Sequence, residues 1–120
     1  KSFSRMLGGE TFIPKIPSVK IMDLAKAMAP NLDLKIVGIR PGEKIHELMC
    51  PNEFNHDTLE FEDHYVIFPS PQNFDKKVNF ILNKIGEKGK KVSLSFEYQS
   101  GTNNKFLTTK EIKDWNKKFL

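Results

Sequence analysis

The chain has 120 residues, 38% of them hydrophobic and 28% charged, with a net charge of +4 and a pI near 9.2. That length supports one core without disulfide or metal staples, and the basic excess is too small to name nucleic acid as a partner. The single cysteine, Cys50, excludes an intrachain disulfide and fits a reducing compartment, and no apolar run reaches the roughly 20 residues that span a bilayer.

The opening Lys1-Ser2-Phe3-Ser4-Arg5 carries neither an initiator Met nor a signal-peptide apolar stretch, so we expect the first residue not to be a native start. Glu10-Thr11-Phe12-Ile13 reads as a short strand between Gly8-Gly9 and Pro14. Ile21, Leu24, Ala25 and Met28 repeat at helical spacing, and the helix they predict starts at Ser18 or nearer Lys20 and stops at Pro30. Leu34 to Ile39 predicts a strand running into Arg40-Pro41-Gly42-Glu43, and Lys44 to Met49 a short helix. Residues 59–67 alternate as a half-buried strand with an acidic face, its phase broken at Asp63. Phe74, Val78, Ile81, Leu82 and Ile85 predict a helix ended by Gly86, and Val92, Leu94 and Phe96 a short strand. Thr108-Thr109-Lys110-Glu111 is a capping box opening a terminal helix with Ile112, Trp115 and Phe119 on one face. The fold class expected is mixed α/β. An apolar fraction this modest, with ten Phe, suggests hydrophobic surface kept for a partner.

An α/β chain invites a search for nucleotide chemistry. None of the seven glycines forms G-x-G-x-x-G or a P-loop. Tyr-x-x-x-Lys is also missing, since Tyr65 is followed at +4 by Pro69 and Tyr98 by Thr102, and there is no G-x-S-x-G elbow. We therefore assign no catalytic and no cofactor-binding residue.

Four constellations remain. At the end of the expected strand, Arg40 offers a planar fork suited to phosphate, and Glu43 a carboxylate suited to ribose hydroxyls. The same residues also read as an Arg–Glu pair pinning a Pro-Gly turn. His46 and Cys50 stand at a metal-compatible i, i+4 spacing, but His56 and His64 add no paired spacing, so packing and surface roles are expected and no metal ligand is assigned. Lys84, Lys88, Lys90 and Lys91 lack interleaved aromatics and read as a solvated segment. Residues 96–107 carry three aromatics and the pair Asn103-Asn104, which suits either an ordinary anchored loop or a segment wrapping a neighbouring surface.

Gly8-Gly9-Glu10 and Phe12-Ile13-Pro14-Lys15-Ile16-Pro17-Ser18 resemble the late part of extended short-chain dehydrogenase/reductases of the polysaccharide-biosynthesis group. Asp23-Leu24-Ala25-Lys26-Ala27, Ile39-Arg40-Pro41-Gly42-Glu43-Lys44-Ile45-His46-Glu47 and Thr58-Leu59-Glu60-Phe61-Glu62-Asp63 sharpen this to a resemblance to the inverting UDP-N-acetylglucosamine 4,6-dehydratases of pseudaminic acid biosynthesis. Tyr98-Gln99-Ser100, Asn103, Asn104 and Leu107 resemble the C-terminal extension of that group.

The resemblance implies a cytoplasmic, homo-oligomeric parent lyase making surface or flagellin-modifying sugars. Its N-terminal Rossmann domain would bind NADP and carry the catalytic Asp, Lys and Tyr. This chain would be the C-terminal substrate-binding subdomain without that domain: residues 1–70 the substrate-binding α/β part and 71–120 the C-terminal extension. Its partners would be a UDP-sugar and the N-terminal domain, with no nucleic acid and no membrane span, and it would be inactive alone. Carried over by position, Arg40 would contact the UDP pyrophosphate and Glu43 the ribose hydroxyls; His46 and Glu47 match the pattern without a chemical role. A related UDP-sugar 4- or 5-epimerase, or a free-standing interaction or nucleic-acid-binding module, are the alternatives.

Overall fold

The computed structural model describes residues 1–69 and 78–119. The elements in chain order are α1 (Ser2–Arg5), β1 (Thr11–Pro14), α2 (Ile21–Met28), β2 (Leu48–Cys50), a 3₁₀ turn (Asn52–Asp57), β3 (Thr58–Glu60), β4 (His64–Ile67), β5 (Lys90–Lys91), β6 (Tyr98–Gln99) and α3 (Thr109–Phe119). This mixed α/β content agrees with the expected class, and among the described strands every pairing of the four-stranded sheet is antiparallel. The chain divides into two compact units: Lys1–Lys15 with Leu48–Tyr98, and Ile16–Glu47 with Gln99–Leu120.

The first unit is built on the sheet β1-β4-β3-β5. The alternation at 59–67 is a hairpin rather than one strand. Phe61 N–H donates to His64 O at 2.9 Å, so Glu62 and Asp63 form the reversal and the phase break at Asp63 is the turn. Side chains along β4 then go to opposite faces, as a pleated strand requires. Val66 packs with Leu59, Phe61, Phe12, Phe68 and Phe80 on one face. Tyr65 and Ile67 pack with Ile13, Cys50, Tyr98 and Phe96 on the other. Leu59, only 1% exposed, contributes about 1.5–3 kcal/mol by burial.

Four further sequence expectations are corrected. Leu34–Ile39 forms no strand; its side chains are exposed, and an isolated strand has no ladder to satisfy its backbone. Lys44–Met49 is not helical: six residues lie below the length at which a helix sustains itself, and β2 instead takes up Leu48 to Cys50. Of the stripe expected from Phe74 to Ile85, residues 74–77 lie outside the described residues. From 78 to 85 there is no helix, because Asn79 Oδ1 accepts from Ile81 N–H at 3.0 Å and Asn83 Oδ1 from Ile85 and Glu87 N–H at 3.2 and 2.9 Å, which closes local turns. Val92–Phe96 is likewise not a strand; a turn closes from Phe96 N–H to Ser93 O at 3.0 Å, and the side-chain amides of Asn52 and Asn55 take the carbonyl of Leu94, Asn52 also that of Phe96.

The second unit pairs α2 with α3. Ala27 and Ile112 are its buried apolar side chains among the described residues. The helix expected at 21–28 is present; Lys20 stands at its N-cap without a side-chain hydrogen bond. The capping box is formed: Thr108 N–H and Oγ1 both donate to Glu111 Oε2 at 2.8 Å, and Glu111 N–H donates to Thr108 Oγ1 at 3.3 Å. Of the expected apolar face on α3, Ile112 is buried and Trp115 is 55% exposed, while the Phe119 side chain lies outside the description. A parallel bridge ties the two stretches of this unit together: Ser18 N–H donates to Lys105 O at 2.8 Å and Leu107 N–H to Ser18 O at 2.9 Å.

Candidate functional site

The Arg40-Pro41-Gly42-Glu43 turn closes with Glu43 N–H donating to Arg40 O at 3.1 Å. Proline supplies the fixed φ of the second position, and Gly42 the positive φ of +87° at the third, which an L side chain resists. The Glu43 carboxylate folds back over the turn, with Oε2 accepting from Arg40 N–H at 2.9 Å and Oε1 from Arg40 Nε at 2.8 Å. Arg40 and Glu43 are thus brought together as an ion pair. The pair lies in the open: 85% of the Arg40 side chain and 43% of Glu43 are exposed. A guanidinium has five N–H donors and each carboxylate oxygen two acceptor sites. The side-chain contact uses one of these donors, and the pair therefore keeps capacity for a further anion and further hydroxyls.

Beside the turn lies an open cavity of about 680 Å³ lined by Ile21, Ile39, Gly42, Glu43, Lys44 and Glu47. Its lining combines apolar Ile21 and Ile39 with charged Glu43, Lys44 and Glu47. That combination and volume suit a small molecule with both a flat apolar part and polar substituents.

A second cluster of charge, in the first unit, was not singled out by sequence reasoning. Arg5 grips Glu87 in two-point fashion, Nε to Oε2 at 2.7 Å and Nη2 to Oε1 at 2.9 Å, and reaches Asp63 at 3.5 Å. Asn83 Nδ2 adds a 2.6 Å bond to Glu87. Hydrogen bonds from Arg5 and then Asn83 hold the Glu87 carboxyl below the usual carboxylate range. The His64 ring does the same for Asp63, with Nδ1 at 2.6 Å from Oδ1. His64 stacks on Phe12 and Phe61 at 5.4 and 4.7 Å, and its buried Nε2 has no hydrogen-bond partner among the described residues. The partners are 82 and 58 positions apart from Arg5, a separation that leaves no sequence signal.

The other sequence candidates separate. Cys50 is fully buried 3.7 Å from Thr58 Oγ1, and burial pushes its thiol pKa up. His56 is exposed in the 3₁₀ turn, and the His46 ring lies against Gly101. Among the described residues no three His, Cys, Asp or Glu side chains gather as a metal site. Lys84, Lys88, Lys90 and Lys91 are exposed. In the 96–107 segment Tyr98 is buried, and Asn103 Nδ2 donates to Ile16 O and Ser18 Oγ at 2.7 and 3.0 Å.

The sequence pattern of the polysaccharide biosynthesis protein family matches residues 1–69, more than half the chain and including the Arg40–Glu43 turn. The chain belongs to that family. It is 53% identical over 111 residues to a UDP-N-acetylglucosamine 4,6-dehydratase (inverting) of Campylobacter jejuni serotype O:2, covering 92% of this chain and 33% of that protein. The counterpart from C. jejuni serotype O:23/36 is 51% identical over 113 residues, 94% of this chain and 34% of that one. Among solved structures, Pen from Bacillus thuringiensis superposes with a TM-score of 0.65 at 26% identity, over 94% of this chain and 33% of that chain. The chain thus spans about a third of the length of the curated relatives it matches. Among the described residues no helix is long and apolar enough to cross a membrane.

Proposed function

We propose that this chain is the nucleotide-sugar-binding, C-terminal part of a UDP-N-acetylglucosamine 4,6-dehydratase (inverting). The observation that carries the reading is the exposed Arg40–Glu43 turn beside a cavity of ligand size, in a chain 53% identical to such an enzyme. Arg40 binds the diphosphate through a charge-assisted fork and Glu43 accepts from the ribose hydroxyls. Phosphate binds at the guanidinium donors that the Glu43 carboxylate leaves open. The substrate class is a UDP-sugar, and the parent enzyme is a homo-oligomeric cytoplasmic lyase of pseudaminic acid biosynthesis.

The parent's NADP does not fit the residues of this chain. The described four-stranded sheet is antiparallel, and among the described residues no strand runs through a Gly-rich turn into a helix. NADP and the acid–base residues belong to the remaining part of the parent, a Rossmann domain that is also this chain's partner, and the chain alone turns over no UDP-N-acetylglucosamine.

Calorimetric titration with UDP, UMP and uridine tests the binding reading. The expected order of affinity is UDP, then UMP, then uridine, and equal or absent binding of all three refutes it. Turnover of UDP-N-acetylglucosamine by this chain with added NADP would refute the statement of inactivity.

A further inference from the structure

Residues 31–47 are exposed throughout and contain no helix or strand. The Arg40–Glu43 turn stands in this stretch, held internally by the bonds between Arg40 and Glu43. A loop of this kind holds a ligand-binding geometry only if something anchors its end.

The anchor is at His46 and Glu47. Ser100 N–H donates to Glu47 O at 2.8 Å, and Glu47 N–H donates to Ser100 Oγ at 2.9 Å, a reciprocal pair across 53 positions. At the next residue, a Cβ on Gly101 would fall 2.7 Å from His46 Cγ and Nδ1 and 2.8 Å from Cδ2, closer than real side chains approach. Gly101 is not among the glycines with positive φ, so what sets it apart is the close approach of the His46 ring, which a side chain at 101 would have to displace. The 100–101 segment is itself fixed, since Asn103 holds Ile16 and Ser18, and Ser18 bridges to Lys105 and Leu107. Glu47 lines the cavity beside the turn together with Glu43 and Lys44, so the clasped residue is part of the cavity wall.

We propose that Ser100 and Gly101 are positioning residues for the nucleotide-sugar site. They clasp His46–Glu47 and thereby hold the Arg40–Glu43 turn and the Glu47 wall in register. This rests on the UDP-sugar reading given above, and it assigns the match at His46 and Glu47 the role the sequence left open: they are the part of the loop that is gripped.

The test uses the full chain with UDP as the probe, reading affinity, thermal midpoint and amide hydrogen exchange over residues 40–47. Gly101→Ala is expected to weaken UDP about tenfold, the scale of one charge-assisted bond lost when the loop shifts. Adding His46→Ala to Gly101→Ala makes room for the methyl and restores affinity. Ser100→Ala, a milder change, speeds exchange at the Glu47 amide while leaving the midpoint in place. Undiminished UDP affinity in Gly101→Ala, or a double variant no better than the single one, overturns the proposal while the UDP reading stands. Failure of the unsubstituted chain to bind UDP removes that reading instead. Exchange over 40–47 then decides the clasp alone, and rates unchanged by Gly101→Ala would end it.

Discussion

Two arginine–carboxylate pairs in this chain use the same chemistry to opposite ends. Arg5 is only 14% exposed, grips Glu87 at two points and shares a network with Asp63, His64 and Asn83. Arg40 is 85% exposed and meets Glu43, three residues away, which lines an open cavity. The first network fixes α1 and the hairpin turn to the loop at 83–87. The second pair is within reach of solvent and ligand. What separates the architectural ion pair from the one proposed to bind a ligand is coverage by neighbouring chain, not the identity of the residues.

The contrast can be attacked from the largest effect downward. Leu59→Ala, at the centre of the covered unit, should cost about 2–5 kcal/mol in chemical denaturation, because a buried leucine leaves both lost burial and a cavity. A tolerated substitution would mean the sheet is not the core of that unit. Arg40→Ala should weaken UDP-sugar binding in the intact enzyme by about 1.5–3 kcal/mol, the worth of a charge-assisted bond. It should also leave thermal stability within about 0.5 kcal/mol, as for an exposed side chain. Arg5→Ala should do the reverse, lowering the midpoint and sparing UDP. If the two variants behaved alike, the distinction would collapse.

A smaller effect is expected at the terminal helix. Thr108→Ala removes the cap from α3 and should cost about 1 kcal/mol, read as a fall in denaturation midpoint. Acid provides the last comparison. Asp63, through His64, and Glu87, through Arg5, have pKa values below their unfolded ones, so the folded state binds their protons more weakly. Their contribution is complete above the unfolded carboxylate range near pH 4 and is lost as pH falls below it. A stability–pH curve should therefore drop on the acid side, and the drop should be shallower in Arg5→Ala.

Much of the local structure was legible in the residues. The stripe Ile21, Leu24, Ala25, Met28 fixes α2, and the Thr108–Glu111 box marks the start of α3, because each signal operates within one or two helical turns. Pro41-Gly42 dictates its turn for the same reason. Misreadings fell where partners decide. The apolar run at 34–39 has strand propensity but no strand beside it among the described residues, and the stripe from 78 to 85 gives way to asparagine-closed turns. Propensity is a weak force next to a satisfied or unsatisfied backbone.

By itself the sequence determined the mixed α/β class, the two longer helices, the turn carrying Arg40 and Glu43, and the family to which the chain belongs. Only the tertiary structure decided that 59–67 is a hairpin with apolar packing on both faces. It alone joined Arg5 to Glu87 across 82 positions, and set the His46 ring against Gly101. Local signals survive in sequence because adjacent residues share one stretch of backbone. A contact between distant residues exists only once the chain has closed the loop between them, and nothing in the residues between records it.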